Sequence, residues 1–307
     1  MSSASTTIND FPQGSTPTLH PTQAFLWSVR RELWEFRSIY VAPVIVAGLC
    51  VIGFLIGAPS HVVRKMRAAE TLGAAEIHDA IVGPYNFAAM FLMGVCFLVS
   101  IFYCIEAMQG ERRDRSILFW KSLPLSDLTV VLSKMSVALV ILPVIAVVLT
   151  IVTHIALLVL NVIVLEVSGV SSAPLWTNLS FTQMWAMMAY HMLVLHGLWF
   201  APFYAWMLLV SAWARRLALL WAVLPFFAIG VLEKITLSTA HFGHWMMYRF
   251  GGAPGSGAYP GSGSEVHEWM HLSVGQVLFS TSLWTGLIVA AVFLWLAARV
   301  RRSRGPI

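Results

Sequence analysis

Charged side chains are scarce in this sequence. Only 11% of its 307 residues are Asp, Glu, Lys or Arg, whereas 58% are hydrophobic, and the mean hydropathy is +0.77. A soluble domain usually carries about 25% charged residues, which cover its surface. The composition therefore argues against a soluble protein and predicts an all-α integral membrane protein.

Cysteine is also scarce, and the beginning of the sequence does not resemble a secretion signal. The three cysteines, Cys50, Cys96 and Cys104, all lie inside apolar segments. This placement argues against an extracellular disulfide framework and predicts buried thiols. Residues 1–22 are polar, with Ser, Thr and Pro prominent, and contain no apolar stretch of the kind found in signal peptides. We expect them to form a disordered cytosolic tail.

Long runs without charged residues predict the membrane spans. A spanning helix needs about 20 mostly apolar residues, and six segments of the sequence match or approach that length. The fifth segment is the shortest and contains Pro225, so we expect a kink or a break there. The predicted spans cover about residues 39–57, 84–105, 135–160, 182–213, 216–233 and 272–298.

Basic residues are distributed unevenly among the segments that connect these spans. If both termini are cytosolic, all but five of the 19 Lys and Arg residues fall on the cytosolic side. Such an excess is typical of cytosolic loops. The pattern predicts cytosolic termini, a basic tail at residues 299–307 and an extracellular segment at residues 234–271. The five basic residues on the outer side are Arg64, Lys65, Arg67, Lys234 and Arg249.

The predicted cytosolic loop, residues 107–133, carries the strongest functional signal. A dense charge cluster at residues 111–115 precedes four apolar residues at 117–120, and Ser126 or Asp127 can cap the next helix. A loop that only joined two spans would have no reason to expose four apolar side chains. We therefore expect a short helix that docks against a partner protein. The alternative is a solvated loop whose helix lies at the membrane surface.

The loop sequence ERRDRSILFWKSLPLSDLTVVLSK resembles the corresponding loop of ABC-2-type exporter permeases. In that family the loop forms a coupling helix, which fits into a groove of a separate cytosolic ATPase subunit. The resemblance implies a coupling helix over residues 116–123, although the chain has Ser133-Lys134 where Gly-Lys is more usual. The residues assigned to ATPase coupling are Glu111, Arg112, Arg115, Ser116, Ile117, Leu118, Phe119, Trp120, Leu123 and Pro124.

An amphipathic elbow helix before the first span is implied by the same resemblance, and the sequence indicates it independently over residues 23–38. Four apolar residues recur there at helical spacing, and four charged residues occupy other positions. The alternative is a simple cytosolic extension of the first span. The apolar positions are Phe25, Val29, Leu33 and Phe36, and the charged positions are Arg30, Arg31, Glu32 and Arg37.

The resemblance implies the permease subunit of an ABC exporter in the bacterial inner membrane. Such a chain forms the substrate pathway, contacts membrane lipid, pairs with a second copy or a similar permease chain, and binds no nucleic acid. It is not an enzyme and binds no cofactor directly, because the partner ATPase binds ATP and Mg²⁺. We expect Phe119 and Trp120 to dominate the contact with that ATPase. A membrane scaffold without transport is an alternative.

Polar residues inside the predicted spans are candidates for a substrate pathway, because polar groups are costly in the bilayer and often have a function there. His154, His191 and His196 are such residues. The alternative is that each is a neutral histidine hydrogen-bonded within the bundle. Glu106 lies at the cytosolic edge of its span, where we expect it to pair with a basic residue of the loop.

Residues 267–271, HEWMH, match the pattern of zinc metalloproteases, and the overlapping LSVGQ approaches the signature of ABC ATPases. The chain has no G-x-x-x-x-G-K-[ST] phosphate loop, so we do not expect it to hydrolyse ATP. A membrane zinc protease is an alternative function, although the same residues suit the start of an interfacial helix and no metal is expected. Its ligands would be His267 and His271, with Glu268 as base and His241, His244 or Glu265 as third ligand.

Overall fold

The computed structural model describes residues 20–68, 73–122, 125–250 and 277–305, and all regular secondary structure in these residues is helical. Helices suit a bilayer because they pair their backbone N–H and C=O groups internally. The predicted all-α fold is thus confirmed. The helices are α1 (Pro21–Glu35), α2 (Ser38–Arg67), α3 (Ala74–Arg113), α4 (Ser116–Ser122), α5 (Asp127–Val167), α6 (Ala173–Asn178), α7 (Phe181–Trp199), α8 (Ala201–Trp213), α9 (Ala218–Leu237), α10 (His241–Phe250) and α11 (Thr281–Ser303).

Five helices in the described part of the chain are long and apolar enough to cross a membrane, namely α2, α3, α5, α9 and α11. Helices α7 and α8 meet at a bend of 50° and together make a sixth candidate. The chain is therefore a multi-pass integral membrane protein with five or six candidate spans. The predicted fourth span corresponds to the bent pair.

The helix that contains Pro225 is not broken there, because α9 runs without interruption from Ala218 to Leu237. Proline removes one backbone donor and disturbs the hydrogen bonds of the preceding turn. The carbonyl of Ala222, in that turn, accepts a hydrogen bond from Nε1 of Trp206 at 3.0 Å. A neighbouring helix thus supplies a donor beside the proline, which is how membrane helices tolerate this residue.

Helices α3 and α5 are much longer than a membrane is thick. They contain 40 and 41 residues, which corresponds to about 60 Å at 1.5 Å per residue. The apolar core of a bilayer is about 30 Å thick. Both helices must therefore project beyond it, and the end of α3 and the start of α5 carry charged residues into the same region.

The interior of the bundle is built from two main apolar clusters. One joins α3, α5, α8 and α11 and includes Tyr103, Leu208 and Ala297. The other joins α2, α3, α5 and α6 near the opposite ends of α3 and α5, and includes Tyr85 and Leu157. Much of the outer face of α2 and α9 consists of exposed aliphatic side chains, as expected for helices in contact with lipid.

Helices α5 and α7 each contain a π-helical stretch, at Val137–Ile141 and at His191–Trp199. The two stretches lie against each other at Gly197, where an added Cβ atom would be 3.0 Å from the carbonyl oxygen of Leu139. Glycine therefore allows the two backbones to approach closely. Stretches of π-helix often occur where a helix adapts to a functional requirement.

Helix α1 is separate from the first span, because the chain leaves the helical conformation after Glu35 and α2 begins at Ser38. Its buried positions are Ala24, Ser28 and Glu32, which recur every fourth residue and pack against the start of α5. The placement of Glu32 among the outward charged positions is therefore wrong. The predicted apolar positions, Phe25, Val29, Leu33 and Phe36, are half-buried.

Candidate functional site

Six ionisable side chains meet at the end of the bundle formed by α1, the end of α3, the start of α5 and the end of α11. We call it the basic end. Three are basic and three are acidic, and the group is named here the ion cluster. The more exposed Glu35 also pairs with Arg31 from outside the cluster, at 3.2 Å. Charges that leave water are tolerated only when they are paired and hydrogen-bonded. The members are Arg31 and Glu32 of α1, Glu111 of α3, Asp127 and Lys134 of α5, and Arg301 of α11.

Lys134 lies at the centre of the ion cluster. Its Nζ donates to the two carboxylate oxygens of Glu32 at 2.8 and 2.9 Å and lies 3.0 Å from Oε1 of Glu111. All three side chains are buried. The hydroxyl of Tyr103 donates to Oε2 of Glu32 at 3.0 Å. The positive charge is therefore stabilised in the interior by two carboxylates, one of which has a further donor.

Two arginines complete the pairing of Glu111. Arg31 donates from Nη2 to Oε1 of Glu111, and Arg301 places Nη2 3.3 Å from its Oε2 and donates from Nη1 to Asp127. Burial acts to lower the pKa of Arg31, but the carboxylates of Glu32 and Glu111 outweigh it, and the pKa is raised above its usual value. Helices α1 and α11 are thus both linked to the carboxylate of Glu111.

Arg112 binds backbone carbonyls at the end of α8. Its Nη1 donates to the carbonyl oxygens of Ala212 and Ala214 at 2.8 and 3.1 Å, and its Nε donates to that of Gly305 at 3.3 Å. These bonds pair carbonyls that a helix end leaves free. Glu111 and Arg112, predicted to flank a docking helix, are therefore buried against this chain's own helices.

Two adjacent apolar side chains of α4 point away from the bundle. Leu118 and Phe119 are 58% and 60% exposed, and we name them the apolar patch. Ile117, the residue before them, is buried. A helix of seven residues is not stable by itself, so its position depends on contacts with the rest of the chain. The helix is held by its inner face and presents the patch outward.

Trp120 contributes to holding α4 and not to the patch. The guanidinium carbon of Arg31 lies 3.8 Å from the centre of its ring, a cation–π contact. Its ring also meets that of Phe119 edge to face at 4.9 Å. Trp120 is therefore half-buried within this chain, and its predicted contact with a partner stays a prediction. Successive helical side chains are about 100° apart, so four consecutive residues cannot all point outward.

Both ends of α4 are tied to neighbouring segments. Lys121 donates from Nζ to two carbonyl oxygens at the end of α11, at 2.9 and 3.3 Å. At the start, Ser116 donates from Oγ to the carbonyl oxygen of Glu111 at 3.4 Å, and the exposed Arg115 makes the turn with a φ of 59°. The last two predicted coupling residues, Leu123 and Pro124, lie outside the described residues.

Two local predictions for this region are confirmed. Ser126 caps α5, since its Oγ accepts a hydrogen bond from the backbone N–H of Thr129 at 3.0 Å. Glu106 pairs with a basic residue near the end of its own helix, Arg113, whose Nη2 lies 2.7 Å from Oε1 of Glu106. Both contacts are local along the chain, which is why the sequence alone indicated them.

His154 belongs to a buried network between α3, α5 and α7. Its Nε2 lies 3.0 Å from the carbonyl oxygen of Tyr85, and its Nδ1 accepts from Nε1 of Trp185 at 3.3 Å. A neutral ring with the proton on Nε2 satisfies both bonds. Asn161 donates to the hydroxyl of the same tyrosine at 3.0 Å. These contacts match the packing alternative for this candidate pathway residue.

The other two candidate pathway histidines are also hydrogen-bonded inside the bundle. Nε2 of His196 lies 2.9 Å from the hydroxyl oxygen of Tyr204. Nδ1 of His191 lies 2.9 Å from the carbonyl oxygen of Met187, one turn earlier in the same helix. A role for these residues in a substrate pathway remains a prediction.

The candidate zinc ligands are only partly described. Nδ1 of His244 lies 2.7 Å from the carbonyl oxygen of Ala240, and the backbone N–H of His241 donates to Glu233 at 2.6 Å. Within the described ranges, no three His, Cys, Asp or Glu side chains are grouped to hold a metal ion. The pattern residues His267, Glu268 and His271, and the possible ligand Glu265, lie outside the described residues.

Sequence reasoning missed the ion cluster, although a signal for it was present. Glu32 follows Ala24 and Ser28 at intervals of four, and so shares a helix face with two small residues that suit close packing. Lys134 stands directly before a long apolar run. A carboxylate on a face of small residues and a lysine at the start of a span indicate a possible buried pair.

Comparisons with known protein families, with curated proteins and with solved structures found no match. What can be said of the chain therefore comes from its own sequence and structure. It is an integral membrane protein with an all-helical, multi-span fold, and its charged helix ends converge beneath an exposed apolar patch.

Proposed function

We propose that this chain is the membrane-spanning permease subunit of an ABC exporter and binds a separate cytosolic ATPase through the apolar patch on α4. One observation carries the proposal. Leu118 and Phe119 are exposed side by side at the basic end, on a helix anchored by this chain's own residues. Apolar anchors surrounded by charged residues are typical of the centre of a protein–protein contact.

Charge supports this choice of partner surface. Arg115 and Lys121, three residues before and two residues after the patch, are exposed, whereas Arg113 is paired with Glu106 and Asp114. The positive-inside rule favours a cytosolic location for this end of the bundle. Basic residues around an apolar centre favour an acidic partner surface and accelerate the encounter. We assign the membrane to the bacterial inner membrane, with both termini cytosolic.

The ion cluster supports the proposed coupling. Arg31 contacts both Trp120 of α4 and Glu111 of α3, and the cluster extends to α5 and α11. A force applied to α4 would therefore act on the ends of four further helices together. In the proposed cycle, ATP binding draws two ATPase subunits together, and their movement changes the relative positions of the helices in two permease chains.

ATP and Mg²⁺ belong to the partner in this proposal. The permease forms the substrate pathway with a second copy of itself or with a similar chain. The exposed aliphatic faces of α2 and α9 are available for that pairing and for lipid.

The test compares the double variant Leu118→Asp/Phe119→Asp with a matched control, Leu237→Asp. Leu237 is equally exposed but lies at the far end of α9. Each chain is purified in detergent from its native host, and co-purifying proteins that carry a G-x-x-x-x-G-K-[ST] loop are quantified by mass spectrometry. We expect a stoichiometric ATPase with the wild-type chain and the control, and its loss from the double variant.

The same preparations are analysed for zinc and for ATP hydrolysis in proteoliposomes. Absence of such an ATPase from the wild-type sample, or its equal retention by the double variant, would overturn the docking assignment. Stoichiometric zinc without an ATPase would favour the protease alternative. An ATPase that binds but is not stimulated would favour the scaffold.

A further inference from the structure

A cavity of about 410 Å³ lies between α8, α9, α10 and α11, far from the ion cluster. Ser282 in the cavity and Arg301 in the cluster are about 28 Å apart along α11, at 1.5 Å per residue. The lining is mainly aromatic and aliphatic, and includes Phe203, Phe226 and Phe293. Its size and composition are those of a site for a small ligand.

Arg249 of α10 supplies the one charged side chain among the described residues that line the cavity. It is only 3% exposed. Its Nη1 donates to the carbonyl and hydroxyl oxygens of Ser282 at 2.9 and 3.2 Å, and its guanidinium carbon lies 4.3 Å from the ring centre of Trp199. Trp199 in turn donates from Nε1 to the carbonyl oxygen of Arg249 at 2.9 Å. The guanidinium is therefore held in one orientation.

The second terminal nitrogen of Arg249 lacks an acceptor. Nη2 is buried and has no hydrogen-bond partner among the described residues. The described residues that line the cavity include no Asp or Glu. A buried cation without an anion is strongly unfavourable, and an unpaired donor adds to that penalty. Among the described residues nothing balances this cation, and an anionic group with an oxygen near Nη2 would do so.

Gly286 of α11 provides the space that this nitrogen occupies. A Cβ atom at that position would lie 1.9 Å from Nη2 and 3.0 Å from the guanidinium carbon of Arg249. Any larger residue would displace the guanidinium. The sequence thus combines an arginine on α10 with a glycine on α11 that admits it.

The cavity opens toward the side of the bundle. Ile229, Trp245 and Val289 line it and are also exposed, and the helices α9 and α11 that carry the two aliphatic residues are candidate spans. Arg249 bonds to Ser282 in the first turn of α11, and the end of a spanning helix is expected near the lipid headgroups. From there the lining follows α11 to Phe293, a distance of about 16 Å along the helix.

We propose that this cavity binds a membrane lipid with an anionic headgroup. A phosphate or carboxylate oxygen of the headgroup accepts from Nη2 of Arg249, and the acyl chain lies along the aromatic lining toward Phe293. Guanidinium groups bind phosphate and carboxylate strongly because several N–H donors share one plane. The lipid belongs to the leaflet opposite the basic end. The site does not depend on the proposed ATPase.

The test measures lipid binding to the full chain by native mass spectrometry in detergent. Phosphatidylglycerol and phosphatidylcholine with identical acyl chains are compared, with glycerol 3-phosphate as a headgroup without a chain. We expect one phosphatidylglycerol to bind at least about tenfold more tightly than phosphatidylcholine. Both lipids carry a phosphate, but the choline cation of phosphatidylcholine neutralises it and would be repelled by the guanidinium. Arg249→Gln should remove this preference. Lys234→Gln, which removes an exposed charge from the neighbouring α9, should retain it.

Gly286→Ala provides a second variant that keeps the arginine. Its methyl group would displace the guanidinium, so it should also reduce the preference for phosphatidylglycerol, in protein that remains monodisperse. Equal preference in the wild-type chain and in both cavity variants would overturn the proposal. Binding of glycerol 3-phosphate as tight as that of phosphatidylglycerol would also overturn it, by assigning the site to a soluble anion.

Discussion

Lys134 donates to both carboxylate oxygens of Glu32, at 2.8 and 2.9 Å, and both side chains are fully buried. The two residues are 102 positions apart in the chain, so the contact joins α1 to the start of α5. Such a pair contributes little when both charges are present, because desolvation offsets attraction, but removal of one partner leaves the other charge unpaired. The pair therefore specifies how α1 docks.

Lys134→Met is expected to destabilise the chain strongly. It leaves Glu32 and Glu111 with one fewer buried cation, and breaking such a pair costs about 3–5 kcal/mol. The free energy of unfolding is measured by titration of mixed micelles with SDS. Lys234→Met removes an exposed lysine and should leave the transition unchanged. Similar transitions for both variants would contradict the importance of the cluster.

Two tyrosines allow a matched test of hydrogen bonding. The hydroxyl of Tyr103 donates to Glu32, whereas the buried hydroxyl of Tyr190 has no hydrogen-bond partner in the described part of the chain. Tyr103→Phe is expected to lower the unfolding free energy by about 1–3 kcal/mol, as for a bond to a charged group. Tyr190→Phe should be neutral or slightly stabilising. The same SDS titration distinguishes them, and the reverse order would contradict the assignment.

Gly197→Ala tests the close approach of the two π-helical stretches. The added methyl group would lie 3.0 Å from the carbonyl oxygen of Leu139, so α5 and α7 must separate, at a cost of about 1–3 kcal/mol. Gly94→Ala in α3 adds the same group where no atom lies within 4 Å, and should be neutral or stabilising. Thermal inactivation of folded protein, followed by gel filtration, provides the comparison. Equal midpoints would show that the contact relaxes without strain.

Helical architecture was predictable because the membrane imposes it. Charge-free runs of suitable length mark α2, α3, α5, α9 and α11 without any knowledge of tertiary contacts. The bend between α7 and α8 was not predictable in the same way, since hydropathy does not distinguish a straight span from a broken one. The hydrogen bond that α9 receives beside Pro225 comes from Trp206, a residue of another helix, and the sequence does not indicate it.

The charged residues were harder to place than the apolar ones. A sequence pattern assigns Glu32 to an outward face because isolated charges avoid the interior. The pattern does not reveal that Lys134 and Tyr103 donate hydrogen bonds to Glu32 in the folded chain. The half-buried position of Trp120 was missed for a related reason, because its cation–π partner Arg31 lies 89 residues earlier in the chain. Contacts distant along the chain therefore determine the positions of both side chains.

Arg31 of α1 and Arg301 of α11 both pair with Glu111, so this contact needs residues that are synthesised far apart in time. Because α11 follows α3 and α5 in the chain, Glu111 and Asp127 are synthesised before Arg301, with which both of them pair. A chain truncated before Arg301 would lose only the end of α11 but would leave Asp127 without its arginine. The pairing at the basic end is therefore complete only after α11 has been synthesised and inserted.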